Sequence, residues 1–154
     1  MTRWLTDEEQ TTWQSFIRMR QRLDSAIAAG LTRDGLSFSD YEVLVALSAA
    51  DGQLRAKELG AEICWDKSRL SKHLSRMATR GLVDRCQAAD DARGREIRLT
   101  DAGRAALEAA APNHVELVRR LFIDEMTAEE AKAVRSLADR VVAEVERTDP
   151  DGIG

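Results

Sequence analysis

The chain has 154 residues, of which 44% are hydrophobic and 32% charged, with a net charge of −4. That balance supports a single domain with a real core and excludes a disordered chain. Two cysteines are too few for a disulfide framework, and no apolar run reaches the ~18 residues of a membrane span or forms a secretory leader, so a cytoplasmic protein is expected.

Three S/T-x-x-E boxes, Thr6 with Glu9, Ser39 with Glu42 and Thr127 with Glu130, predict helix starts, because each pair satisfies amides that a helix leaves open. The first opens a long helix from about Asp7 to Ala29, ended by Gly30, with Trp13, Phe16, Ile17, Leu23 and Ile27 at helical spacing. The second opens a short helix, "DYEVLVALSAA", ended by the turn signal Asp51-Gly52, and "RAKELGAEI" follows as another. Asp66 is an N-cap for "KSRLSKHLSRMATR", which stops at Gly81. "LVDRCQ" and "REIRLT" alternate as strands around the turn-rich tip "AADDARG". Helix resumes at Thr100 or Asp101, and Pro112 should kink or divide it. A last helix runs from Ala128 to about Arg147, and residues 149–154 form a flexible tail.

Charge is unevenly spread along this series. From Asp66 to Arg98 nine Lys and Arg oppose five Asp and Glu, a local +4 that leaves −8 for the rest. On a helical wheel Leu70, Leu74 and Met77 mark the core side of the basic helix. Ser68, Lys72, Ser75 and Thr79 lie opposite, flanked by Arg69, Ser71 and Arg76, with no acid among them. A merely solvated helix usually mixes Glu with Lys at i, i+4. Hydroxyls and cations alone suit phosphates and base edges in a major groove. A short helix, the tight connection "CWD" and this second helix form a helix-turn-helix, and the hairpin behind it carries Arg93 and Arg95 at a tip narrow enough for a minor groove.

The remaining polar residues carry less. His73 borders the apolar face and reads as a structural side chain rather than a phosphate donor, and Trp65 as a packing residue beside Ile63. No spacing joins His73, His114, Cys64 and Cys86 into a metal site. G-x-S-x-G, P-loop, G-x-G-x-x-G and H-E-x-x-H motifs are missing, so neither an enzyme nor a cofactor is expected.

"DARGREIRLTDAGR", Asp91 to Arg104, resembles the wing signature of the MarR family of winged helix-turn-helix transcriptional regulators, and "RMATRGLVDR" is similar to that family's passage from recognition helix to first wing strand. The resemblance covers nearly the whole chain. It implies a mainly α fold, a winged helix-turn-helix lobe (38–100) flanked by long N- and C-terminal helices (1–37 and 101–148) that interlock in a homodimer. It also implies that Arg93 enters the minor groove, that Asp91 orients nearby basic side chains, and that Arg85 and Arg95 hold backbone phosphate. The face from Ser68 to Arg76 would read the major groove of a pseudo-palindromic operator in double-stranded DNA. Members of the family typically bind a small aromatic or anionic effector between the helical region and the DNA lobe, which suggests a repressor released by ligand. Trp13, Phe16 and Arg20, with His114 and the region of Phe122, are the residues that could line such a pocket; dimer core is the competing reading of Trp13 and Phe16. The family's redox-sensing branch carries a cysteine in the first helix, and this chain has none there. A non-catalytic protein-interaction module on the same fold is the alternative, distinguished by having no need of Arg93 and Arg95.

Overall fold

The computed structural model describes residues 1–88 and 91–148, without the side chains of 88 and 91–93. The end of the expected hairpin tip at Ala89 and Asp90 and the expected tail at 149–154 lie outside the described residues.

Helix α1 spans Asp7–Arg33 and starts on the Thr6–Glu9 box, in which each residue's side chain accepts from the other's amide, at 3.2 and 2.8 Å. It runs past Gly30, contrary to the sequence expectation. Gly30 faces the later helix α5 (Asp101–Val118), and a Cβ there would sit 2.8 Å from Leu117 Cδ2. The glycine permits close helix approach, and the stop comes instead at Asp34 and Gly35, whose φ is +81°. Helix α2 (Phe38–Ala49) is a second correction, since its box is Ser37 with Asp40, at 2.9 Å in both directions, not Ser39 with Glu42. Aspartate reaches back as well as glutamate here, and in this register its carboxylate is also buried.

Asp51 and Gly52, both at positive φ, turn the chain into a three-residue strand β1 (Gln53–Arg55) too short to show any alternation in sequence. Helix α3 (Ala56–Glu62) and helix α4 (Lys67–Thr79) follow, the latter capped by the Asp66 carboxylate, which accepts from the Arg69 amide at 2.9 Å. Strands β2 (Val83–Ala88) and β3 (Asp91–Leu99) pair antiparallel, Val83 opposite Leu99 and Arg85 opposite Ile97. β1 joins the free edge of β3, giving a three-stranded sheet of order β1-β3-β2. Thr100 caps α5 through the Gly103 amide at 2.9 Å and donates to the Gly81 carbonyl at 2.6 Å, tying the helix start to the end of α4. Pro112 does not divide α5; helix continues to Val118, and the irregularity is a π-helical turn at Arg119–Ile123 before helix α6 (Ala128–Thr148).

The core lies where α2 meets α1, α5 and the sheet, through Leu31, Val43, Leu44, Leu47, Leu59 and Ile97. The outer parts of the long helices are bare. Trp13, Phe16 and Met19 of α1 are exposed, and no residue of α6 is buried although Val134, Leu137, Val141 and Val145 share helical spacing. No helix among the described residues is long and apolar enough to cross a membrane.

Candidate nucleic-acid interface

Helix α4 is held by its inner side, where Leu70, Leu74 and Met77 are buried in the core together with His73. The turn before it is tight: Cys64 takes φ +57°, Trp65 donates its amide to the Gly60 carbonyl at 2.9 Å, and a Cβ on Gly60 would lie 3.2 Å from the Trp65 carbonyl oxygen. This close approach sets the angle between α3 and α4. The outer side then carries Ser68, Arg69, Ser71, Lys72, Ser75, Arg76 and Thr79, all exposed.

A buried carboxylate fixes α4 to α2. Asp40 Oδ2 accepts from the Ser37 amide and from Arg80 Nη1 at 2.7 Å, while Asp40 Oδ1 meets His73 Nε2 at 2.9 Å. Arg80 donates in addition to the Gly35 carbonyl at 2.9 Å. Burial alone would raise the Asp40 pKa, but the hydrogen bonds from Ser37 and Arg80 and the Arg80 charge outweigh it and hold the carboxyl below its usual value. Burial pushes the His73 pKa down, helped by Arg76 and Arg69 against the attraction of Asp40. Burial therefore favours the neutral imidazole, whose Nε2 faces Asp40 and whose Nδ1 lies 3.1 Å from Arg76 Nη2. His73 is thus a structural side chain, as its place on the wheel suggests. Arg80, one of the nine basic residues of the charged stretch, serves the fold.

The other guanidiniums are arranged individually. The Arg69 Cζ lies 3.9 Å from the centroid of the Trp65 ring. Arg85, reaching from β2, donates to Ser75 Oγ at 2.6 Å and to Ser71 Oγ at 3.5 Å, and Ser75 itself donates to the Ser71 carbonyl at 3.0 Å. Arg95 is exposed on β3 opposite Gln87, and Arg98 pairs with Glu96 at 2.6 Å. Arg93 belongs to β3, but its side chain and that of Asp91 lie outside the described residues.

The residues named for an effector pocket fall in two places. Trp13 and Phe16 lie together on α1 with ring centroids 5.8 Å apart, and Arg20 is exposed farther along the same helix. His114 sits in a groove of about 460 Å³ between α1 and α5, beside Ile27, Asn113 and Leu117, with its ring tilted at 42° against Tyr41 and the centroids 4.5 Å apart. Its Nδ1 is buried without a hydrogen-bond partner, and burial pushes its pKa down. A single chain does not bring the first group to the second. Among the described residues no three His, Cys, Asp or Glu side chains converge as metal ligands would.

Asp40 and Ser37 were missed from sequence; the Ser37-x-x-Asp40 spacing was the available signal. The role of Arg85 as a clamp on two helix hydroxyls had none, since ten and fourteen residues separate the partners.

Comparison with known proteins places these features in a family. The MarR family profile matches residues 34–94. AbsC, a MarR family transcriptional regulator from Streptomyces coelicolor, is 34% identical over 96% of this chain and all of its own, with a TM-score of 0.91. Sco3205, a MarR family regulator of the same organism whose crystal structure is a complex with DNA, is 33% identical over 98% of this chain and 96% of its own, with a TM-score of 0.93. The HTH-type transcriptional regulator YdgJ of Bacillus subtilis is 29% identical over 109 residues, and the chain spans 63% of its length.

Proposed function

The chain belongs to the MarR family of transcriptional regulators, and from that we propose that it is a dimeric, sequence-specific DNA-binding regulator of the cytoplasm, a repressor released by a small ligand. The observation that carries the reading is the outer face of α4, where Ser68, Arg69, Lys72 and Arg76 point outward with no carboxylate between Ser68 and Thr79. Cations and hydroxyls on a helix anchored from behind match phosphate and base edges in a major groove. The DNA complex of Sco3205, at 33% identity, supports the same reading. Two copies related by a two-fold axis would set their α4 helices in successive major grooves, which calls for a pseudo-palindrome with half-sites about 34–36 Å apart. Arg95 and Arg93 on the hairpin are then suited to the flanking backbone and minor groove.

The same reading assigns control to a small aromatic or anionic effector. The groove beside His114, with an unpaired ring nitrogen, Tyr41 against it and Arg120 at its edge, is suited to such a molecule, and Trp13, Phe16 and Arg20 would join it only from a partner chain. A rigid duplex fixes the separation of two recognition helices, so a ligand favouring another separation weakens binding by its differential affinity.

Anisotropy titration of a duplex pool at increasing salt tests the DNA reading. With six to ten phosphates contacted, affinity should fall by about 10³–10⁵ between 50 and 200 mM salt. Binding indifferent to salt, or none in dilute buffer, overturns it. Benzoate and phenol added to the complex test the effector: release is expected, and an unchanged affinity counts against ligand control alone.

A further inference from the structure

Four arginines stand on or beside the outer face of α4, and three of them are hydrogen-bonded within the fold. Arg80 donates to Asp40 and the Gly35 carbonyl, Arg85 to Ser75 and Ser71, and Arg76 to His73 Nδ1. Arg69 differs. Among the described residues its side chain has no hydrogen bond or ion pair, and its one specific contact is the face of Trp65 at 3.9 Å. Contact through the π-face leaves the in-plane N–H donors of a guanidinium free, which is what two parallel hydrogen bonds to guanine O6 and N7 require.

The platform beneath it is rigid. Trp65 is 5% exposed, its amide is bonded to Gly60, and its ring stands edge-on to His73 at 5.3 Å and 83°. His73 is held in turn by Asp40. A buried carboxylate thus lies against an imidazole, the imidazole packs edge-on against an indole, and the indole carries the guanidinium on its face. Arg69 is also the third residue of α4, at the N-terminal end that enters the major groove deepest. Toward the other end the Ser75 hydroxyl is already engaged with Arg85 and the Ser71 carbonyl, so the free donors cluster with Arg69, Ser68 and Lys72. The nearby acid on α2 is Glu42, whose carboxyl burial pushes up against the Arg69 charge, and it forms no ion pair with that residue.

We propose that Arg69 is the guanine-reading residue of each half-site and that Trp65 is the positioning residue that presents it, an inference that rests on the duplex-binding reading above. The stack restricts the long side chain before DNA arrives, so that the guanidinium plane is already oriented when it meets a base edge.

Selection from a pool of duplexes with a randomised core, followed by titration of the recovered sites, tests this. Wild type should recover a two-fold motif with a fixed G·C pair in each half. Arg69→Ala should lose information at that pair alone and bind the wild-type site about 10- to 100-fold more weakly. Arg69→Gln should move the preference there toward A·T, because a carboxamide matches adenine N6 and N7. Trp65→Phe should keep the G·C pair, and Trp65→Leu should blur it while the rest of the motif stands. Thermal melting checks that the Trp65 variants fold; Arg69 is exposed, so its variants leave the core intact and decide the matter even where a Trp65 variant unfolds. If Arg69→Ala recovers the unchanged motif, or weakens all duplexes alike, Arg69 is a phosphate contact and the proposal fails while duplex binding survives. If wild type selects no motif, the duplex-binding reading fails and takes the proposal with it.

Discussion

Asp40 accepts from the Ser37 amide and from Arg80 and lies 2.9 Å from His73 Nε2, and so joins the start of α2 to the middle and the C-terminal end of α4. Removing it leaves a half-exposed guanidinium without its acceptor and takes the charge from beside His73, and Asp40→Ala should lower stability by about 1–3 kcal/mol in urea denaturation. Asp40→Asn, which keeps the cap oxygen, should cost less. The two shifted groups also give a pH profile. His73 has its folded pKa below 6.5, so as pH falls under 6.5 the unfolded chain takes up a proton that the folded chain resists, and stability declines. His114 acts in the same direction. The Asp40 contribution is full above 3.8 and is lost as pH falls through its lower folded value. Urea midpoints at pH 7.5, 5.5 and 3 should therefore fall in two stages, and His73→Gln should flatten the upper one in part; an unchanged upper slope would contradict the buried neutral imidazole. Of this network the burial of His73 was legible, because position on a wheel reports it, whereas the meeting of His73 and Arg80 with Asp40, 33 and 40 residues away in chain, does not follow from any spacing.

At the level of elements, glycines mark where backbone is approached closely. A Cβ on Gly103 would lie 2.1 Å from the Leu82 carbonyl oxygen, which is backbone and cannot rotate away. Gly103→Ala should thus destabilise by on the order of 3 kcal/mol, measured by thermal or urea melting. Gly30→Ala should cost less, since Leu117 Cδ2 ends a flexible side chain. The helix order, the Asp66 cap, the Gly81 stop and the hairpin were all readable, because caps and alternation are local. Strand β1 was not, because three residues carry no period and their pairing with β3 is a tertiary fact. Gly30 misled because a glycine ends a helix only where nothing packs closely against it, and α5 does so here; Pro112, exposed on α5, removes a backbone donor without ending the helix.

For the whole molecule the informative surface is the one left bare. Helix α6, with 21 residues and no buried position, is held among the described residues by local interactions alone, such as the Thr127–Glu130 cap and the Arg147–Glu144 pair. Its row of Val134, Leu137, Val141 and Val145, with Trp13, Phe16 and Met19 of α1, offers the apolar area that the proposed dimer would cover. Leu137→Asp combined with Val141→Asp should yield a monomer in sedimentation equilibrium and weaken duplex binding by well over tenfold, since one recognition helix would act alone. A variant that stays dimeric would place the interface elsewhere. This unpartnered amphipathicity was visible in sequence, whereas the residues named for an effector are not drawn together in one chain, because Trp13, Phe16 and Arg20 of α1 do not line the groove that holds His114.

The proposed function requires two copies of α4 lying on one side of a duplex. Hydroxyl-radical footprinting on a duplex recovered by selection measures this directly. Two protected patches on the same face, centred about 10–10.5 base pairs apart, with two chains bound per duplex, are the predicted result. A single patch with one chain bound, or protection without helical phase, would contradict it.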